Sequence, residues 1–251
     1  GPGGGEAVLA GSPAARAGLR QDDTLLGVGP VRFAPADPKA PMGTAALIAA
    51  VAAIAALPPG RPLEVRGLRA GKPYAVTVEP VPACRTRFEV AIGAGWEAQA
   101  DGEMVQIGSR LLEYPEDELA AVIAHELSHN ILRHRERLEA QGISFGMLAG
   151  FGRNVRYFRQ TELEADILSV SLLANAGYDP AAAVRFWRDF GPKHAGGILR
   201  SRSHPSWRDR IPTIERAIGE VGAARPARPA LLASRSRPLD GDWQSLLVKR
   251  P

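Results

Sequence analysis

Two of the five histidines flank a glutamate in the run His125-Glu126-Leu127-Ser128-His129. Residues four apart on an α-helix stand one turn above the other on the same face, so these two imidazoles can share one metal ion. Glu126 is turned about 100° from His125 around the axis. That offset removes it from the ligand face but keeps it within reach of a water polarised by the ion, the place of the general base in a zinc hydrolase. Such a site needs a third protein ligand. No histidine stands six residues after His129, where Arg135 lies, and Cys84 is the single cysteine, so no thiolate cluster can close a structural zinc site. His134 comes nine residues after His125, about 900° along one continuous helix, and is expected on its opposite, exposed side. Further on, Glu162-Leu163-Glu164-Ala165-Asp166 places Glu162 and Asp166 on a shared helix face, with Glu164 pointing away. Glu162 is expected to complete a site for one Zn2+ per chain. Asp166 is expected to accept a hydrogen bond from a ligating imidazole and so fix its tautomer and orientation.

The elements that must hold these residues are well marked. Pro115 opens a helix over about 115–140; Glu116, Asp117 and Glu118 face the positive end of its dipole, and Arg133, Arg135 and Arg137 face the negative end. Leu119, Val122 and Ile123 give it an apolar face. Further helices are predicted over about 160–176, 180–190 and 207–220. Phe88–Ile92 and Met104–Ile107 are predicted strands, the second an edge strand along which an extended polypeptide substrate would pair. Residues 6–81 form a smaller α+β module. It has a strand over Glu6–Ala10, a short helix opened by Pro13, a strand over Asp23–Val28 and an apolar helix from a Thr44 cap to Leu57. A hairpin of Leu63–Leu68 and Tyr74–Val81 follows, turning at Ala70-Gly71-Lys72. Beyond Gly222, arginine and proline dominate (Arg225-Pro226-Ala227-Arg228-Pro229), which predicts an extended or mobile tail. The boundaries are thus 1–82, 83–224 and 225–251, and the fold class is α+β with a mainly helical second domain around a small sheet.

Composition narrows the function. Hydrophobic residues make up 45% and charged residues 23% of the 251, as in a soluble globular chain that buries a substantial core. The net charge is +4, but the arginines are scattered among acids with no basic run interleaved with aromatics, so no nucleic-acid partner is expected. The longest apolar stretches, Thr44–Leu57 and Ile143–Phe151, fall short of the roughly 18–20 residues that span a bilayer. Gly1-Pro2 resembles the remnant of a cleaved tag, which leaves room for a targeting or membrane-associating segment ahead of it.

Two resemblances follow from these motifs. Gly11-Ser12-Pro13-Ala14-Ala15-Arg16-Ala17-Gly18-Leu19, followed by Asp22-Asp23-Thr24-Leu25-Leu26, resembles a PDZ domain of the bacterial protease-associated kind over about residues 3–81. Its first strand is not visible, and its carboxylate-binding loop would fall in the glycine-rich residues 1–5. The resemblance implies a peptide or protein partner at this PDZ-like domain. Residues 84–220 are similar to the zincin-type catalytic domain of the gluzincin family that includes the CAAX prenyl proteases, HtpX, the OMA proteases and BepA. The likeness rests on the two paired motifs, on Ser203-His204-Pro205 followed by Arg210-Ile211, and on Ala100–Ile107 as the strand before the active-site helix. It implies a zinc metalloendopeptidase of the soluble periplasmic branch, acting in quality control of unfolded envelope proteins. It also places His204 near the zinc, either stabilising the oxyanion or capping the metal as a fourth ligand in a latent, chaperone-like or scaffold protein.

Overall fold

The computed structural model describes residues 8–33, 45–83, 86–93, 95, 97–143, 152–194 and 204–248. Residues 1–5, Thr44, Cys84 and Ser203, named above, lie outside them. The chain divides into two compact units, Gly1–Cys84 and Arg85–Pro251.

The first unit has a short helix α1 (Pro13–Arg16), strands β1 (Thr24–Val28) and β2 (Val31–Arg32), helix α2 (Ala45–Ala55), and strands β3 (Leu63–Arg69) and β4 (Lys72–Val78). The strands form one antiparallel sheet in the order β2-β1-β3-β4. Ser12 caps α1 by accepting from the Ala15 amide at 3.1 Å. The β3–β4 hairpin closes on Ala70 and Gly71, both at positive φ (49° and 76°), as a two-residue loop matched to strand twist requires. Gly67 has no room for a side chain, since a Cβ there would sit 2.4 Å from the Thr24 carbonyl oxygen. Asp23 is buried and receives two hydrogen bonds from Arg69, at 2.8 and 2.7 Å, which hold its carboxyl well below the usual carboxylate range. Glu6 and Ala7 lie outside the described residues, and Val8–Ala10 form no strand.

The second unit begins with β5 (Arg87–Ala91), β6 (Ala98–Ala100) and β7 (Met104–Gly108), in the sheet order β5-β7-β6. The Met104–Ile107 strand is therefore central, paired in parallel with β5 and antiparallel with β6, and not the edge strand the sequence suggested. The cause is the turn at Asp101-Gly102. Gly102 takes φ +99°, and Asp101 Oδ1 accepts from the amides of Glu103 and Met104, folding β6 back onto β7. The edge beside the site helix is β6, whose Ala98 and Ala100 pack, like Leu119 and Ile123 of that helix, on a core of Val105, Ile107, Leu111, Val122 and Phe186.

Five helices follow among the described residues: α3 (Glu116–Ile131), α4 (His134–Glu139), α5 (Val155–Ala176), α6 (Ala181–His194) and α7 (Trp207–Glu220). α5 is buried along most of its length and packs with α3, α6 and α7 around Ala124, Val170, Leu173, Ala182 and Ile214. It stops at Gly177, at φ 84°, a left-handed C-terminal cap. The single helix expected over 115–140 is two. Arg133 adopts the left-handed conformation (φ 55°, ψ 39°), and the wholly buried Leu132 pins the chain just before it. α4 therefore leaves in a new direction, which a 3.6-residue periodicity cannot anticipate.

The C-terminal stretch also departs from expectation. Its described residues lack long regular elements and form 3₁₀ turns at Ala230–Ser236 and Trp243–Leu246, yet they are packed rather than extended or mobile. Leu239 is 2% exposed and joins Leu138 and Ile143 in a small core, while Trp243 lies under the Arg159 guanidinium at 4.7 Å. Composition marks the absence of periodicity here, but not that the main chain finds partners. Arg137 donates to the Arg237 carbonyl, Gln141 to that of Leu239, and Asn175 to that of Ala227. Leu239→Ala should therefore lower the stability of this unit by about 2–5 kcal/mol. Urea unfolding followed by tryptophan fluorescence reads this unit, because all four tryptophans fall within it. A change below about 0.5 kcal/mol would show that the segment is not part of the core.

Candidate metal centre

α3 and α5 lie side by side, and one turn of each supplies the centre. On α3, His125 and His129 project from the same face, with ring centroids 5.0 Å apart. On α5, Glu162 faces them, its Oε2 3.6 Å from His125 Nε2 and its Oε1 3.6 Å from His129 Nε2. The two Nε2 atoms are 3.3 Å apart. Ligands placed tetrahedrally at the 2.0–2.1 Å typical of zinc stand about 3.3 Å from one another, so these three side chains fit one such ion without rearrangement. Two imidazoles and one carboxylate suit zinc better than magnesium or calcium, which prefer all-oxygen sites.

The outward nitrogens of both imidazoles are occupied as well. His125 Nδ1 is 3.1 Å from Asp166 Oδ1. Asp166 is buried and is held in turn by Arg210, whose Nε and Nη2 donate to its two oxygens at 2.7 Å each. Arg210, itself 3% exposed, also stacks 3.8 Å from the Trp187 ring and reaches Glu162 at 3.4 Å. Burial pushes the Asp166 pKa up, but the Arg210 charge and the bonds from His125 and Arg210 outweigh it and hold the carboxyl ionised. In His125, burial and Arg210 both disfavour protonation, yet the bonds to Asp166 and Glu162 prevail and raise its pKa to about 9 in the absence of metal.

His129 has a different partner. Its Nδ1 lies 2.9 Å from His134 Nδ1, and His134 Nε2 lies 3.0 Å from Glu164 Oε2. His134 is thus 2% exposed, not on the outer side of a continuous helix, because the break at Arg133 swings it inward. Glu164 does point away from Glu162 and Asp166, but into the interior, where Arg137 and Gln160 donate to it. Burial favours the neutral acid, and the bonds from His134 and Arg137 overcome it, leaving the carboxyl at about 2. Sequence reasoning missed His134, Arg137 and Glu164 as parts of the site. The one available signal was Glu164 itself, an acid followed one helical turn later by the apolar Ile167 and Leu168.

Glu126 is half-buried, makes no hydrogen bond among the described residues, and has its pKa raised chiefly by burial. His204 is about half exposed and touches Glu162 Oε2 through Nδ1 at 3.0 Å; it is not one of the residues that converge as a metal-holding group.

The match to known proteins falls on this centre. Residues 94–159 and 152–218 match peptidase family M48. The chain carries an M48 metallopeptidase domain. Peptidases of this family use zinc, in keeping with the donor set of α3 and α5. Similar proteins include the mitochondrial metalloendopeptidase OMA1 of Schizosaccharomyces pombe, 32% identical over 131 residues, covering 44% of this chain and 39% of that protein. Its namesake in Arabidopsis thaliana is 28% identical over 135 residues, covering 46% and 28%. The chain therefore spans well under half the length of these relatives. No solved structure matches.

Protein purified without chelators should carry about one zinc per chain by elemental analysis. His125→Ala should lose it while keeping its helical circular dichroism. A zinc-free wild type, or full zinc content in the alanine variant, would remove this centre.

Proposed function

We propose that the chain is a zinc-dependent endopeptidase that hydrolyses unfolded or extended polypeptides. The observation that carries this reading is the convergence of His125, His129 and Glu162 on one point, with the uncommitted carboxylate of Glu126 on the same turn of α3. Zinc held by the three ligands would polarise the scissile carbonyl and lower the pKa of the attacking water to about 7. Glu126 accepts the proton of that water and returns it to the departing amine. Its partial burial, which raises the carboxyl pKa, brings its basicity nearer to that which proton transfer at neutral pH requires. Asp166 and Arg210 keep His125 turned so that Nε2 faces the ligand cluster.

The substrate main chain pairs with β6, the sheet edge nearest α3, because backbone hydrogen bonding gives affinity with little demand on side chains. His204, at the exposed margin of Glu162, hydrogen-bonds the oxyanion as it forms. The first unit, with its antiparallel four-stranded sheet and two helices, serves as the PDZ-like domain that recruits peptide or protein partners. The setting we infer is quality control in the bacterial cell envelope, with relatives that are themselves metalloendopeptidases of an organelle. No described helix is long and apolar enough to cross a membrane.

Cleavage of reduced, carboxymethylated casein, with and without a chelator, tests the activity. Glu126→Gln should retain zinc and fold but lose about 10²–10⁴-fold in kcat, since an amide cannot take the proton. His204→Ala should lower kcat by about 10²–10³ at unchanged zinc content. Wild-type turnover in Glu126→Gln would eliminate the assigned base, and a rise in cleavage by His204→Ala would favour the latent, capped protein instead.

A further inference from the structure

The site's two imidazoles are supported unequally. His125 has a carboxylate directly behind it, whereas His129 has a second histidine and only then a carboxylate. Nothing in the zinc chemistry requires His134. A core histidine need only satisfy its two ring nitrogens, and many polar partners would do. What distinguishes this one is the direction its contacts impose. Glu164, bonded by both Arg137 nitrogens, is ionised and can only accept, so the proton between it and His134 belongs to His134 Nε2. A neutral His134 then has a bare Nδ1, and the 2.9 Å contact to His129 exists only if His129 Nδ1 carries the hydrogen. The lone pair of His129 is thereby left on Nε2, the nitrogen that faces Glu162 and His125.

The row is also fixed from behind. Arg137 donates through Nε to the Arg237 carbonyl at 2.9 Å, and Gln160, which donates to Glu164 at 2.9 Å, accepts from the Gly241 amide at 2.8 Å. His134, Arg137, Gln160 and Glu164 are each less than 8% exposed, so solvent offers no substitute for a lost contact.

We propose that His134, anchored by Glu164 and Arg137, is a positioning residue that holds His129 in the Nδ1-protonated tautomer and so presents its Nε2 to the metal. This rests on His125, His129 and Glu162 being the zinc ligands. Outer partners of this kind typically contribute 10–100-fold to metal affinity.

Zinc affinity, measured by competition with a chromophoric chelator on the full chain, separates positioning from packing. His134→Leu should bind zinc about 10–100-fold more weakly with its circular dichroism unchanged, and its cobalt-substituted form should show an altered visible spectrum. His134→Gln should fall within about threefold of wild type, because its carbonyl can accept from His129 while its amide donates to Glu164. Equal affinity in the leucine variant overturns the proposal, as does a glutamine variant no better than leucine, since that would make the role one of packing. Should His134→Leu fail to fold, nitrogen-15 imidazole spectra of the zinc-free wild type decide, since only there is the His129 tautomer not already imposed by the metal. A protonated Nδ1 on His129 supports the relay, and a protonated Nε2 refutes it. If wild type itself binds no zinc, the centre fails, whereas the relay fails alone if wild type and His134→Leu bind it equally.

Discussion

Helix α5 brings three carboxylates, Glu162, Glu164 and Asp166, into the interior within five residues, and each is less than 9% exposed. An ionised carboxylate taken out of water costs several kcal/mol unless charge and hydrogen bonds compensate it. The surrounding structure supplies that compensation piece by piece. Asp166 receives Arg210 from α7 and His125 from α3; Glu164 receives Arg137 and His134 from α4; Glu162 has His125 and His129 on one side and His204 on the other. The packing of α3, α4 and α7 on α5 is thus set by charge pairing as much as by the alanine, leucine and isoleucine core beneath it.

The same pairing separates the three acids by role. Glu164 and Asp166 each meet an arginine with two bonds, which commits both oxygens to the protein. Glu162 meets Arg210 only at 3.4 Å, and both of its oxygens face imidazole Nε2 atoms. A carboxylate left without a close bidentate arginine, and facing two imidazole nitrogens, is the one placed to bind a cation together with them.

How much of this was legible depended on whether the signal was local. The pair His125 and His129, the shared face of Glu162 and Asp166, the Pro13 helix and the Ala70-Gly71 hairpin all follow from spacing within one element, and the structure places them so. Three features depended on contacts that spacing does not encode. The helix break at Arg133 occurs without glycine or proline, because burial of Leu132 and the pairing of Arg137 and His134 with Glu164 hold a left-handed residue there. The central place of β7 depends on Ala98–Ala100 folding back at Asp101-Gly102, a turn that the continuous run Ala100–Ile107 does not announce. The packed C-terminal stretch showed no periodicity because its partners meet its main chain.

That last feature bears on how the stretch can vary. Arg237, Leu239 and Gly241 meet Arg137, Gln141 and Gln160 through carbonyls and an amide, groups that every residue other than proline possesses. The path of the chain here is therefore specified while most of its letters are not, and substitutions at Arg237 or Ser236 leave those bonds available. Leu239 and Gly241 are the exceptions: the Leu239 side chain fills the small core with Leu138 and Ile143, and Gly241 sits at φ +79°, where a Cβ would come within 2.6 Å of Arg156 Cδ. A library randomised over 236–242 should return varied residues at most of these positions, with a large apolar residue retained at 239 and glycine at 241.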